Sequence, residues 1–319
     1  MRIAAIGCGG HATNNVWPNF APQGLQLAAV AARHMDRAEA AAARFGGQAF
    51  DDAAKLLDTA EVDAAVVIVP PDQYASVVRL CIERGLPVFT DKPGANSADE
   101  ASALADEAAA AGVQVMVGYQ KRFGSAVRQA KSIIEGDGFG PLTLGSFKWS
   151  MGAMGGGGKV SLRDWLFENP VHHFDLARYL LGELADVKVN VQQVNGEFAL
   201  AIGATAVDSG AAVSLRVCTT GSWFQHNESA EVFGFGQSVL VDNIDTCIHR
   251  PAQRPELVWR PNYTVPIPIN SSATTMGFGT ELAEFKAMVT EGGPNPSDIA
   301  SAAATLRLTA EIAKQAGAS

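Results

Sequence analysis

Gly7-Cys8-Gly9-Gly10-His11-Ala12 has the pattern G-x-G-x-x-A and follows a short apolar run, Arg2–Ile6. Gly7 permits a tight turn. Gly9 lets backbone come against a pyrophosphate at a helix N-terminus, where N–H groups and the helix dipole favour anions. Gly10 and His11 open that helix, and Ala12 stands at the position where a small residue packs it on the strand. The chemistry implied is dinucleotide binding. About 20 residues further on, an acid usually holds the ribose hydroxyls of NAD. That place is Ala32, followed by Arg33, His34 and Arg37. Guanidinium groups bind a 2′-phosphate that a carboxylate would repel, so NADP is expected over NAD. The plainer reading makes Arg33 and Arg37 a solvated helix start. Asp36, the nearest acid, fits with Glu39 as a capping box for a helix starting at Arg37.

Two other groups could handle a reacting oxygen. Lys92 lies just past a strand-like run, where doubly wound folds place ligands. A cation there can hydrogen-bond a carbonyl or hydroxyl oxygen and stabilise charge that develops on it. His172 is a candidate because a histidine side chain ordinarily titrates near neutrality and suits proton transfer. Asn169 as N-cap, Pro170 at the first helical position and Gly182 as stop define its helix. Asp175 falls on the same face as His172 and either orients it or satisfies the helix dipole. His173 points elsewhere and reads as structural.

The elements that must position these groups follow from periodicity. Over residues 1–118 apolar runs at 2–6, 25–32, 64–69, 86–89 and 113–117 alternate with helical stretches near 37–46, 73–84 and 97–111. This β-α-β-α order predicts a doubly wound parallel sheet, with Gly85 as a helix C-cap. From 119 to 319 the texture is α+β. A helix near 124–135 precedes period-two strands at 143–150, 187–194, 213–217 and 239–241, with a turn at Asp208-Ser209-Gly210. These strands predict one large open sheet, antiparallel or mixed. A helix at 298–316 closes the chain. The glycine loop 151–159 lacks the residues of a phosphate loop, and the Pro-rich run 251–268 reads as extended or an edge.

With Lys plus Arg at 24 and Asp plus Glu at 33, the net charge is −9, which argues against nucleic-acid and anionic-membrane partners. The four cysteines are far apart. They indicate neither a metal site nor a disulfide framework, and suit the cytoplasm. The longest apolar runs are too short to span a membrane, and the opening strand argues against a signal peptide.

Together with the glycine turn, Thr90-Asp91-Lys92-Pro93, Gly118-Tyr119-Gln120-Lys121-Arg122-Phe123, Glu168-Asn169-Pro170-Val171-His172-His173-Phe174-Asp175 and Gly277-Phe278-Gly279-Thr280-Glu281-Leu282 resemble the Gfo/Idh/MocA oxidoreductases. Asp91 stands where that family has Glu, Glu168 where it has Asp, and Asp164-Trp165 where it has a glycine pair. The resemblance implies an N-terminal Rossmann domain and a C-terminal domain with a large open sheet, often the seat of homodimers or homotetramers. It implies hydride transfer between a nicotinamide and a secondary alcohol or carbonyl of a sugar, cyclitol or similar small polar substrate. Lys92 would lie near that reaction, in a cis Lys92–Pro93 bond. His172 would handle the hydroxyl proton, with Glu168 in the acid's place. Pro70 and Pro71 would shape the turn beneath the nicotinamide, next to Tyr74, where the family often has His. Substrate contacts would come from Tyr119, Arg122, Trp165 and Asp175, with Lys121, Lys148 and Arg163 as further candidates. A lyase or glycosidase with internal redox cycling, and a non-catalytic dinucleotide sensor, are the alternatives.

Overall fold

Strand β1 (Arg2–Ile6) is almost entirely buried apolar residues, as a strand covered on both faces must be. In this computed structural model, which describes residues 1–152, 158–222, 225, 227–262, 264 and 272–318, β1 pairs in parallel with β2 (Gln26–Ala31) and β4 (Ala64–Val67). β3 (Gln48–Phe50), β5 (Val88–Asp91) and β6 (Val115–Gly118) complete a six-stranded sheet in the order β3-β2-β1-β4-β5-β6. Helices α1 (Met35–Phe45), α2 (Ala53–Thr59), α3 (Tyr74–Ile82) and α4 (Ala98–Ala111) connect the strands. The strand order reverses between β1 and β4, and in such sheets the crevice beyond the strand C-termini takes the ligand.

Two local expectations fail here. Helix α1 begins at Met35, with His34 at its N-cap and no side-chain cap. Asp36 is therefore inside the first turn, where it faces the helix dipole, and the Asp36–Glu39 capping box does not form. After Gly10 the chain forms no regular helix. A π-helical turn over Ala12–Val16 gives way to 3₁₀ turns at Trp17–Asn19 and Ala21–Gln23. Pro18 and Pro22 lack the N–H groups that α-helical bonding needs.

The second half builds one mixed sheet. Its strands are β7 (Leu144–Ser150), β8 (Leu184–Val194), β9 (Glu197–Ala206), β10 (Ala212–Cys218), β11 (Asn227–Phe233), β12 (Ser238–Asp242), β13 (Thr246–Arg250) and β14 (Leu257–Trp259). Their order is β14-β13-β12-β11-β7-β10-β9-β8, and only β7 with β10 is parallel. The expected turn at Asp208–Gly210 joins β9 to β10. β14 makes an edge from the Pro-rich run, of which 263 and 265–268 lie outside the described residues, as do 153–157 of the glycine loop. Phe147, Trp149, Leu200, Leu215, Val217 and Val232 face a core shared with α5 (Ser125–Ile134), α6 (Leu162–Glu168), α7 (Val171–Leu181) and the end of α10 (Ile299–Gln315). The opposite face carries Lys148, Ser150, Arg216 and Cys218, around an open groove of about 460 Å³.

Helix α7 starts one residue later than the sequence suggests. Pro170 is its N-cap, and Asn169 is the C-cap of α6. The Asn169 side chain makes no capping bond; its carbonyl accepts from His172 N–H at 3.3 Å. Gly182 ends α7 with φ +84°, as expected.

A division at 118/119 assigns everything beyond it to the second domain. Residues 1–120 instead form one compact unit with 278–304, and 121–277 form another with 305–319. The returning segment comprises α9 (Phe278–Glu291), the loop after it and the start of α10. It covers the free edge of β6: Val117 N–H donates to Ser297 O at 2.7 Å, and Ser297 Oγ donates to Val117 O at 2.7 Å. An exposed strand edge is an aggregation hazard, and this segment removes it. Short α8 (Ser272–Met276) precedes α9, and among the described residues no helix is long and apolar enough to cross a membrane.

Candidate active site

The glycine turn stands at the C-terminal end of β1. Gly7 adopts φ +91°, and its N–H donates to Ala31 O at 2.9 Å, which ties the turn to β2. A side chain at Gly7 would fall on the Ile68 carbonyl group, whereas one at Gly9 would meet nothing within 4 Å. The backbone at Gly9 is therefore bare toward a groove of about 570 Å³. Gly10, His11, Arg33, His34, Arg37 and Pro70 also line it, and Ala12 is buried beneath the turn. Bare backbone at one point of the groove and three basic side chains elsewhere along its wall fit a pyrophosphate and a phosphorylated or free ribose. NAD(P) is the cofactor these residues suit.

Sequence reasoning missed three lining groups. Asp51 and Asp52 reach the groove from the end of β3. Asp52 caps α2, accepting from Lys55 N–H at 2.8 Å, and Asp51 pairs with Lys55 Nζ at 3.6 Å. The Asp-Asp-Ala-Ala-Lys pattern carried that cap signal. Cys8 lines the groove as well, and partial burial raises its thiol pKa.

Asp91, the residue before Lys92, lines the same groove. His11 Nε2 lies 3.4 Å from Asp91 Oδ2, while His11 Nδ1 is 2.9 Å from Asn15 Nδ2. An Asn15 amide donating to Nδ1 leaves the ring proton on Nε2, facing the carboxylate. Phe278 stacks edgewise on the imidazole at 5.9 Å. The Lys92–Pro93 bond is cis, and Tyr74 OH donates to the Lys92 carbonyl at 3.4 Å. Burial, and then the Asp91 charge, push the Tyr74 phenol pKa well above its ordinary value. The phenol thus stays a donor. The backbone of Lys92 is held from α3, and the side chain before it is held from the glycine turn.

Glu281 on α9 is a buried acid beside this loop. It is 1% exposed, and its Oε2 is the polar atom nearest to where a Gly118 side chain would stand, at 3.4 Å. Gly118 is the register partner of Asp91. Burial, with the Asp91 charge added, holds the Glu281 pKa well above the carboxylate range. A raised folded-state value means that its stabilising contribution is complete below the unfolded pKa. That contribution disappears as pH rises through the folded one. Glu281→Gln is therefore expected to gain stability over the wild type as pH rises from the ordinary carboxylate value of 4.5 upward. Urea unfolding midpoints across that range check it, and parallel pH curves for the two proteins would refute it.

The second unit carries all but one of the other predicted residues. His172 is the second residue of α7 and half-buried, and Glu168 is exposed at the end of α6. Asp175 neither caps the helix nor faces solvent. It is 1% exposed and accepts from Arg122 Nε at 2.6 Å and Thr305 Oγ1 at 3.0 Å. Arg122, also buried, thus spends its guanidinium inside the unit. Trp165 is fully buried, its ring 5.6 Å from Phe198 and 5.9 Å from Trp149. Its place in the core follows from α6, whose Leu162, Trp165 and Leu166 form one apolar stripe. Tyr119, in the first unit, is 1% exposed. Arg163 stacks on Phe167 at 4.9 Å, and Lys148 stands on the open face of the second sheet.

Residues 1–119 match the oxidoreductase family with an NAD-binding Rossmann fold, Gfo/Idh/MocA. Over 258 residues the chain is 27% identical to scyllo-inositol 2-dehydrogenase (NAD+) of Bacillus subtilis, spanning 76% of this chain and 74% of that one. It is 29% identical over 249 residues to inositol 2-dehydrogenase of Rubrobacter xylanophilus, spanning 76% and 68%. Levoglucosan dehydrogenase, solved with NADH and L-sorbose, shares the fold with a TM-score of 0.88 at 19% identity, over 99% of this chain and 96% of that one. The glycine turn and the Asp91-Lys92-Pro93 loop both lie in residues 1–119, the part that matches the NAD-binding Rossmann fold of the Gfo/Idh/MocA oxidoreductases, and the similarity to the inositol dehydrogenases extends over 76% of the chain.

Proposed function

We propose that this chain is an NAD(P)-dependent dehydrogenase that oxidises a secondary hydroxyl of a sugar or cyclitol, or reduces the matching carbonyl. The observation that carries the reading is one groove lined both by bare glycine backbone and by Asp91, one residue before Lys92. Gly7, Gly9, Gly10, His11 and Ala12 hold the pyrophosphate, and Pro70 shapes the nicotinamide end. When bound, the nicotinamide accepts or returns the hydride. Lys92 hydrogen-bonds the reacting oxygen and stabilises its negative charge. His172 takes the hydroxyl proton in oxidation and gives it back in reduction, with Glu168 as its acidic neighbour. Trp165 and the Arg122–Asp175 pair act from buried positions, shaping the surroundings of α7, while Tyr119 is buried within the first unit. The relatives named for inositol support a cyclitol or a sugar of similar size.

NADP is the proposed preference, because Arg33, His34 and Arg37 line the groove where the sequence offers no acid at Ala32. Asp51 and Asp52 on the same groove weigh the other way, but both are engaged at the start of α2. Arg33→Ala is expected to weaken NADP about tenfold, since hydrogen bonds to charged groups contribute roughly 1.5–3 kcal/mol. NAD affinity should be nearly unchanged. Fluorescence titration with both reduced cofactors checks this, and equal losses would remove the basis for the preference. We place the enzyme in the cytoplasm, where its four free cysteines stay reduced. The open face of the second sheet, with Lys148 and Arg216, is the proposed surface for a homodimer or homotetramer. The test of the whole reading is a screen of inositols, aldoses and polyols with NAD and NADP, followed by nicotinamide absorbance. Cofactor binding without turnover of any of them would favour a sensor instead.

A further inference from the structure

The first turn of helix α7 carries two adjacent histidines, and the second has no part in the proposed chemistry. His173 is 1% exposed, and its Nε2 lies 3.0 Å from Glu228 Oε2. The same carboxylate oxygen accepts from the Lys121 ammonium. The Lys121 and Glu228 side chains are 7% and 8% exposed. Glu228 is itself braced: its N–H donates to Asn243 Oδ1 at 3.1 Å, and its carbonyl accepts from Asn243 N–H at 2.9 Å. Its register partner on β7 is Trp149, whose ring lies 6.5 Å from that of His173.

The space beside this group is about 10 Å³, at the lower limit for a single water. Val127 of α5, Leu176 of α7, Val241 of β12 and Ile244 wall it with apolar side chains. The elements around it also carry His172, Asp175, Arg178 and Tyr179 on α7, Arg128 and Lys131 on α5, Glu231 on β11, Asp242 on β12 and Lys148 on β7, with Arg122 next to Lys121 and Glu168 at the end of α6, and none of these lines that space. Lys121, Glu228 and His173 must therefore satisfy one another rather than solvent. A buried ionic cluster rarely adds more stability than apolar packing of the same volume. Its specific effect is geometric, because a carboxylate fixed by Lys121 dictates where the His173 imidazole sits and which nitrogen carries its proton.

We infer that Glu228 is a positioning residue for His172: by holding His173 and Lys121 on one carboxylate oxygen, it fixes the first turn of α7 and balances the charge behind the proton-handling imidazole. This rests on the reading of His172 given above. Glu228→Gln keeps the shape but leaves the Lys121 ammonium without its counter-charge. An uncompensated cation disfavours a second cation nearby. The His172 imidazole is then expected to titrate at lower pH than in the wild type.

The experiment is a pH titration of the His172 ring resonances by NMR on the full chain, assigned by comparison with His172→Asn. A shift to lower pH in Glu228→Gln supports the inference, and an unchanged His172 titration overturns it. If Glu228→Gln does not fold, His173→Gln serves, since it keeps the Lys121–Glu228 pair and removes only the tie to α7. Altered His172 resonances in that variant support the inference, and resonances identical to wild type overturn it. Full turnover by His172→Ala would instead defeat the parent reading, whatever the titration shows.

Discussion

Lys92→Ala is expected to lower turnover about 10²–10³-fold, the usual cost of removing one preorganised group that stabilises charge in a transition state. Binding of the reduced cofactor should stay within about twofold, because uniform cofactor contacts do not depend on that ammonium. The asymmetry follows from how the loop is held. Tyr74 bonds the Lys92 carbonyl, which alanine retains, and His11 faces Asp91 rather than Lys92. The backbone path is therefore the same in the variant, and only the cation is gone. His172→Ala is expected to lose about 10²–10⁴ in turnover, and with it the neutral limb of the pH–rate profile. Steady-state rates and fluorescence titration separate binding from chemistry in both. A Lys92→Ala enzyme turning over at near wild-type rate would end the assignment of that residue.

What could be read from sequence tracks how local each signal is. β1, β4 and β6 are covered on both faces, so their apolar runs stand out. β3 has only three residues and α2 seven, too short for either period to show, and both were missed. β11 reads Asn-Glu-Ser-Ala-Glu-Val-Phe; its alternation is carried by Glu228, Ala230 and Val232, and a buried glutamate hides it. The same glutamate is the centre of the His173 cluster, so one residue concealed both the strand and the polar contact. Gly7, Lys92 and the His172 helix were legible because each sits in a short motif whose spacing carries its geometry. The resemblance gives Trp165 and Asp175 as substrate contacts, and nothing local in the sequence shows otherwise. Their partners, Phe198 and Trp149 for one and Arg122 and Thr305 for the other, come from distant strands, a loop and a helix. Glu281 gave no sign of its buried state, since burial is decided by the return of α9 onto the first sheet.

The glycine turn offers the sharpest contrast, because two glycines of one motif are required for different reasons. Gly7→Ala is expected to unfold or severely destabilise the first unit, by more than about 4 kcal/mol, the range of exceptional single substitutions. At φ +91° an L-residue is already strained. The new Cβ would also fall on the Ile68 carbonyl oxygen, with the carbonyl carbon at 2.8 Å and Val69 Cγ1 at 2.9 Å. That carbonyl belongs to backbone at the end of β4, and Ile68 N–H is itself bonded to Ile6 O at 2.9 Å, so it cannot step aside. Gly9→Ala meets nothing within 4 Å and has no left-handed φ to strain. Its melting temperature should match the wild type, while the methyl group occupies groove space that a pyrophosphate needs, and cofactor affinity should fall at least tenfold. Thermal unfolding and cofactor titration of both variants distinguish the two roles. Equal stability of Gly7→Ala and wild type would mean that β1 and β4 can part without cost. Undiminished cofactor affinity in Gly9→Ala would mean that the dinucleotide does not cross the turn at that point, and the groove would lose its assigned ligand.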